Sequence, residues 1–294
     1  MSAIATPTYI YQMCSTDTQM RDLLTNFYTA LESVGWTQSA DTGQLNLSTI
    51  SLATSFSPYL PYKIHYFNDS LHGTSPCYLK TSWSKYSTSY IGLSMAVMKS
   101  SSGDGELTYP FVSATPPSTT GNKNSLSTIR KTYAADRYSG LIYESLTNPA
   151  TQNQIKQFSF FFGRTIDLDT GLSTADGWFF YLPTVVSNYP GRVAVCDNVN
   201  NTIDNNTAYC MVPGNQGNIS PGVNMFRHWF PINNKYQMNP YAATVDSTVI
   251  RNGATFDASI AGSGFGEHTY RRMHDIGTAW SIRYANHALA MIWE

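Results

Sequence analysis

The chain has 294 residues, 42% of them hydrophobic, enough for one large β-rich domain or two smaller ones with a real core. Charged residues make up only 13%, about half the usual share, and 18 Lys plus Arg against 19 Asp plus Glu leave a net charge of −1. That balance argues against nucleic acid as a partner, because Arg130–Lys131 and Arg271–Arg272 are too short to form a basic stripe, and no apolar run approaches the ~18 residues of a membrane span.

The opening stretch MSAIATPTYIYQMC lacks a basic start followed by an apolar run, so no secretory signal is expected. Residues 8–13 read as a short leading strand or extended arm. Residues 16–36 then form the one convincing amphipathic helix near the start. Met20, Leu23, Leu24, Phe27, Leu31 and Val34 recur at three-and-four spacing. Thr16 or Asp17 can cap it, and Gly35 can end it in a left-handed turn. Almost everything after Trp36 reads as strands, turns and loops, and a helix with one apolar face needs a sheet to cover it.

A turn is expected at residues 41–43, and Leu45, Leu47 and Ile50 suggest a second short strand. The two prolines of FSPYLP, residues 56–61, make that segment a loop. Strands follow at 62–67, 77–83 and 90–98, with turns at Asn68–Asp69 and His72–Gly73. Ile91, Leu93, Met95 and Val97 alternate as in a half-buried sheet. Residues 100–105, SSSGDG, read as a flexible turn, and residues 115–127, TPPSTTGNKNSLS, as a low-complexity loop or arm. Strands resume at 140–144, 157–165 and 177–186; Phe158, Phe160 and Phe162 share one face of the second, with Phe161 on the other. Residues 192–196 and 208–212 pair plausibly across an Asn-rich turn, 213–241 read as ordered but irregular, and a last strand is expected near 280–284. The apolar end HALAMIWE is expected to dock, in its own sheet or in a neighbour.

The expected fold is α+β but predominantly β: an antiparallel sheet or sandwich covered by one N-terminal amphipathic helix, with long loops. The layout divides as 1–114, the 115–127 loop, and a β-rich half at 128–294 that is either a second domain or part of the first.

No catalytic or cofactor-binding centre stands out. Glu267, His268, His274 and Asp275 lie close in sequence but match no metal motif, and the run GSGFGEHTYRRMHD reads as a glycine-rich loop. Asp167 and Asp169 begin like a calcium loop, but Leu172 and Trp178 stand where its glycine and glutamate belong, so a tight turn between strands is the better account. Gly262, Gly264 and Gly266 lack the spacing of a dinucleotide loop. Cys14, Cys77, Cys196 and Cys210 form no CxxC pair; Cys196 and Cys210 could be cross-strand neighbours, but four separate buried thiols are the better account. The sequons at Asn200, Asn205 and Asn218 fit chance in an Asn- and Thr-rich chain. No cofactor and no metal are expected.

The 20 tyrosines and the shortage of charge fit a surface largely covered by other protein, although Tyr, Thr and Phe also favour ordinary strands. Trp229, Phe230, Ile292 and Trp293 are the candidate interface residues. Trp229 and Phe230 buried against a neighbouring chain would mark a structural protein; lining an exposed groove they would mark a receptor- or glycan-binding module. The third reading, a polysaccharide depolymerase, is disfavoured by the few acids and the absence of a repeat, so no enzyme activity is expected.

The order of features also carries a resemblance. The helix ends in Gly35–Trp36; Tyr66–Phe67–Asn68–Asp69 follows; Pro76 precedes a strand with Leu79–Lys80; Ile91–Gly92–Leu93 leads to a Gly-Asp-Gly turn at 103–105; and FFGRTIDLDTG runs from Phe161 to Gly171. Over residues 17–186 this layout resembles uncharacterised virion structural proteins of tailed bacteriophages. The resemblance implies a tail, baseplate or neck component, made in the cytoplasm of the infected host, with copies of itself and other virion proteins as partners. A host surface receptor is the further partner if the glycan-binding alternative holds. It carries over no catalytic residues, and the C-terminal third lies outside it.

Overall fold

The computed structural model describes residues 8–12, 16–32, 35–51, 61–87, 90–108, 111–114, 128–135, 139–147, 154–167, 169–182, 192–197, 202–204, 225–232, 235–246, 250–251, 254–259, 267–276 and 287–292. They form antiparallel sheets and one short helix near the N-terminus, so the chain is predominantly β. Two compact units share it: residues 7–137 with 142–158, and residues 1–6 and 138–141 with 159–294.

The first unit begins with β1 (Thr8–Gln12), followed by α1 (Asp17–Glu32). Thr16 and Gln19 close a capping box: Thr16 Oγ1 accepts from the Gln19 amide at 3.2 Å, and the Thr16 amide donates to Gln19 Oε1 at 3.3 Å. Met20, Leu24, Phe27 and Leu31 are buried, as their spacing predicts, and Tyr28 joins them. Gly35, at φ 98°, takes the left-handed conformation that ends the helix, and its amide donates to the Glu32 carbonyl.

A five-stranded antiparallel sheet follows, in the order β2 (Trp36–Gln38), β3 (Tyr62–Phe67), β4 (Tyr78–Ser87), β5 (Tyr90–Met98) and β6 (Phe111–Ala114). Trp36 lies opposite Phe67, with ring centroids 3.6 Å apart, and fixes the register of β2 on β3. The turn after β3 is held by Asp69, whose Oδ1 accepts from the Leu71 amide and whose carbonyl accepts from the His72 amide.

This sheet departs from the half-buried expectation. Met95, Ala96, Val97 and Met98 are all buried, so both faces of β5 are covered there. Tyr28 and Glu32 of α1 lie over one face. On the other, Tyr62, Ile64 and Met98 form a core with Tyr78 and Leu107. The strand expected around Leu45–Ile50 does not form. Asn46 Oδ1 instead accepts from the Ser48 amide and hydroxyl, which starts a 3-10 turn over Leu47–Thr49; local side-chain bonding of this kind competes with strand pairing. The first unit also contains β7 (Thr128–Ala135), which pairs antiparallel with β1. The leading arm is therefore a strand of the chain's own sheet.

β8 (Ser139–Thr147) and β9 (Gln154–Asp167) contribute residues to both units. In the second unit β9 pairs with β10 (Ser173–Leu182), which pairs with β11 (Arg192–Asp197). The hairpin turn between β9 and β10 is the Asp167 turn: Asp167 Oδ1 accepts from the amides of Asp169 and Thr170, each at 3.0 Å. β11 pairs with β12 (Thr202–Asp204), so Cys196 faces Ile203 and Trp178 across the ladder; residues 208–212, expected as its partner, lie outside the described residues.

The segment 213–241, expected to be irregular, contains β13 (Met225–Ile232) and the start of β14 (Lys235–Asp246), which pair with each other. The His-containing run expected as a glycine-rich loop becomes β16 (Glu267–Ile276), between β15 (Thr255–Ser259) and β17 (His287–Ile292). β17 pairs on its other side with β14, so the apolar C-terminal stretch docks inside the chain's own sheet. Residues 115–127 and 280–284 lie outside the described residues.

Candidate functional site

The densest chemistry among the described residues lies under α1. On β3, Lys63 and His65 point to the helix side of the sheet and are both buried. Tyr28 and Glu32, one helical turn apart, meet them. The Tyr28 ring stacks on the His65 imidazole at 5.3 Å and 11°, and its hydroxyl bonds Thr81 Oγ1 of β4 at 2.9 Å. His65 Nε2 lies 3.2 Å from Glu32 Oε1, while His65 Nδ1 is buried with no hydrogen-bond partner. Lys63 Nζ donates to Gln38 Oε1 at 2.8 Å and sits 4.8 Å from the Tyr28 ring centroid.

Burial governs the protonation of this row. Loss of solvent pushes His65 down to about 4, against the opposing pull of Glu32. Burial likewise lowers Lys63, with Glu32 again opposing. The imidazole is therefore neutral near pH 7, donating Nε2–H to Glu32 and leaving Nδ1 as a bare acceptor. No Ser, Thr or Cys hydroxyl or thiol bonds that nitrogen, so the row lacks a nucleophile–base pair. What it does is tie the helix to β3 and β4.

A second polar cluster covers the opposite face. Asp41 Oδ1 accepts from Ser39 Oγ at 2.6 Å; its Oδ2 accepts from Ser101 Oγ and from the Gly105 amide. The Tyr62 hydroxyl reaches the carbonyls of Thr42 and Asp104, and Lys80 Nζ donates to the Gly105 carbonyl from 4.9 Å over the Tyr62 ring. The stretch read as a flexible turn at 100–105 is thus bound to the turn at 41–43 and to the sheet. Gln44 completes the seam: its Oε1 accepts from the Ile64 amide at 2.9 Å, while its Nε2 donates to the Ser39 and Asp41 carbonyls.

The candidate interface residues are placed by backbone only. Trp229 and Phe230 lie on β13 opposite Met238 and Gln237; Ile292 ends β17 opposite Tyr270; Trp293 lies outside the described residues. Glu267, His268, His274 and Asp275 all lie on β16, and no group of three or more His, Cys, Asp or Glu capable of holding a metal occurs among the described residues. Cys77 is buried; Cys14, Cys210, the glycines at 262–266 and the three sequons lie outside the described residues. No described helix is long and apolar enough to cross a membrane.

The row under α1 was missed in the sequence because the alternation of YKIHYF marks a strand without showing what covers Lys63 and His65. The available signal was on the helix: Tyr28 and Glu32 stand on the flank of the apolar stripe, one turn apart. Compared with protein-family models, curated proteins and solved structures, the chain matches none.

Proposed function

We propose that this chain is a structural component of a tailed bacteriophage virion, assembled by protein–protein contacts into the tail, baseplate or neck. Its partners in this reading are copies of itself and other virion proteins, and it performs no reaction. Its five-stranded sheet acts as a platform, with the helix on one face. The layout resemblance over residues 17–186 points the same way.

The observation that carries the reading is the outward face of α1. Among its described side chains Thr18, Asp22, Thr25, Asn26, Thr29 and Glu32 are exposed, and four of these six are neutral. Threonine and asparagine are poor helix formers, and a helix facing water normally carries Lys–Glu pairs. A neutral polar face costs less to desolvate than a charged one, which suits a surface that meets protein.

The test is quantitative mass spectrometry of particles purified through a density gradient, with wild type and a Thr25→Lys/Thr29→Glu variant. The reading expects a fixed copy number for wild type and a several-fold loss of incorporation for the variant, whose isolated fold is unchanged by circular dichroism. Absence of the wild-type chain from the particles would overturn it.

One observation favours the receptor-binding alternative. The rings of Tyr66, His72 and Tyr78, each partly exposed, meet at 4.5 to 5.9 Å at one end of β3 and β4, a grouping on which a sugar ring could stack. Saturable glycan binding that is lost in Tyr66→Ala would select that reading.

A further inference from the structure

The attachment of α1 to the sheet contains a group placed to fail in acid. We propose that His65 is an acid-sensitive latch: protonation of its buried imidazole releases α1 from the five-stranded sheet.

The geometry supplies the reasons. A neutral imidazole has one N–H donor and needs one acceptor for it, which Glu32 Oε1 provides at 3.2 Å. An imidazolium carries two N–H donors, and Nδ1 is buried with no acceptor. The charged groups facing the ring are Glu32 from α1 and Lys63 from β3; β4 presents Thr81 and Leu79, and β2 presents Gln38, all uncharged. Lys63 is itself buried, so a second cation would share its pocket. Glu32 opposes this, but its side chain is 45% exposed and its attraction is screened by water. The Tyr28 face would also attract a cation, yet Lys63 Nζ already lies 4.8 Å from that ring. Burial therefore decides the sign.

Tyr28 and Glu32, the residues that meet the ring, are the polar attachment of α1 to β3 and β4. A charged ring regains water only where the helix that covers it lifts, and a free helix of 16 residues is marginal in water. The imidazole is lowered from 6.5 to about 4 when the helix is seated, so the neutral-state advantage is complete above pH 6.5 and is lost as pH falls toward 4. At pH 5 these values favour the open form about thirty-fold more than at pH 7.5.

Hydrogen exchange on the full chain, expressed as protection factors, tests this at pH 7.5, 6 and 5. The expected result is a fall of about thirty-fold in residues 17–32 by pH 5, with a much smaller fall in β4 and β5. His65→Leu, which cannot titrate, should hold the α1 fall to less than about threefold. If that variant does not fold, the wild-type imidazole is followed by NMR; a midpoint near 4 with early loss of α1 protection supports the latch. A midpoint between 6 and 7, an equal fall across helix and sheet, or a full fall in His65→Leu each overturns it.

Discussion

Gly105 should be irreplaceable. It sits at φ 87°, where an L side chain is strained, and a Cβ built there would lie 2.0 Å from Tyr62 Cζ and 2.3 Å from its hydroxyl oxygen. No rotamer change of the new methyl can relieve that overlap, so Gly105→Ala must move either the loop or the Tyr62 ring. The left-handed backbone costs about 1–2 kcal/mol. Displacing a well-packed ring adds about 1–3 kcal/mol. The hydroxyl's contacts with Thr42 and Asp104, and the Lys80 bond to the Gly105 carbonyl, contribute about 1 kcal/mol each, and at least one is lost. The sum is roughly 3–6 kcal/mol, a large part of the stability of a single unit. Urea denaturation should be followed by a probe in the first unit, because two units need not unfold in one step. A double-mutant cycle isolates the cause: in a Tyr62→Ala background the same glycine substitution should cost only the backbone part, about 1–2 kcal/mol. A Gly105→Ala protein within about 0.5 kcal/mol of wild type, or an equal cost in both backgrounds, would refute the reasoning.

Phe27 is fully buried on α1, so Phe27→Ala should lower stability by about 3–5 kcal/mol in the same denaturation assay. Gln44→Ala removes the acceptor of the Ile64 amide inside the sheet and should cost about 1–3 kcal/mol, with faster exchange at the Ile64 amide as the local readout. The Tyr62 phenol is raised, first by burial and then by Asp41, Asp104 and Glu106; its contribution is fully present below pH 10.0, its ordinary value, and is lost as pH rises through the higher folded value. Alkaline titration at 295 nm should therefore show a late-ionising tyrosine that disappears in Tyr62→Phe.

The first unit was readable where one residue pattern determined one outcome. The α1 stripe, the capping pair Thr16 and Gln19, and the strands at 62–67 and 90–98 each follow from local periodicity or capping chemistry. Where a tertiary partner decided, periodicity misled. Leu45 and Leu47 alternate with polar neighbours, yet Asn46 diverts the chain into a turn, and Arg21 Nε holds the Ile50 carbonyl from the helix at 2.8 Å. β13 and β14 were obscured by Pro231 and Pro240, which read as breaks although both lie within strands. β16 was obscured by the glycines before it, and by charges and histidines that suggested a loop.

The same pattern links the fold to the proposed role. In the first unit four ionisable groups of the sheet point inward: Lys63 and His65 toward α1, Lys80 and Tyr62 toward the 100–105 loop. Burying such groups is expensive unless each is bonded, and here Glu32, Gln38 and the Gly105 and Asp104 carbonyls bond them. Charge used that way fixes which element lies on which face, since a shifted helix would take Glu32 from His65 and the Tyr28 ring face from Lys63. It also leaves α1 with threonine and asparagine on the outside, where a freely exposed helix would gain from charge pairs. A chain whose charges hold its own layers together presents a surface that a neighbouring subunit can desolvate at low cost. That is the physical link between a 13% charged composition and the role in assembly proposed above.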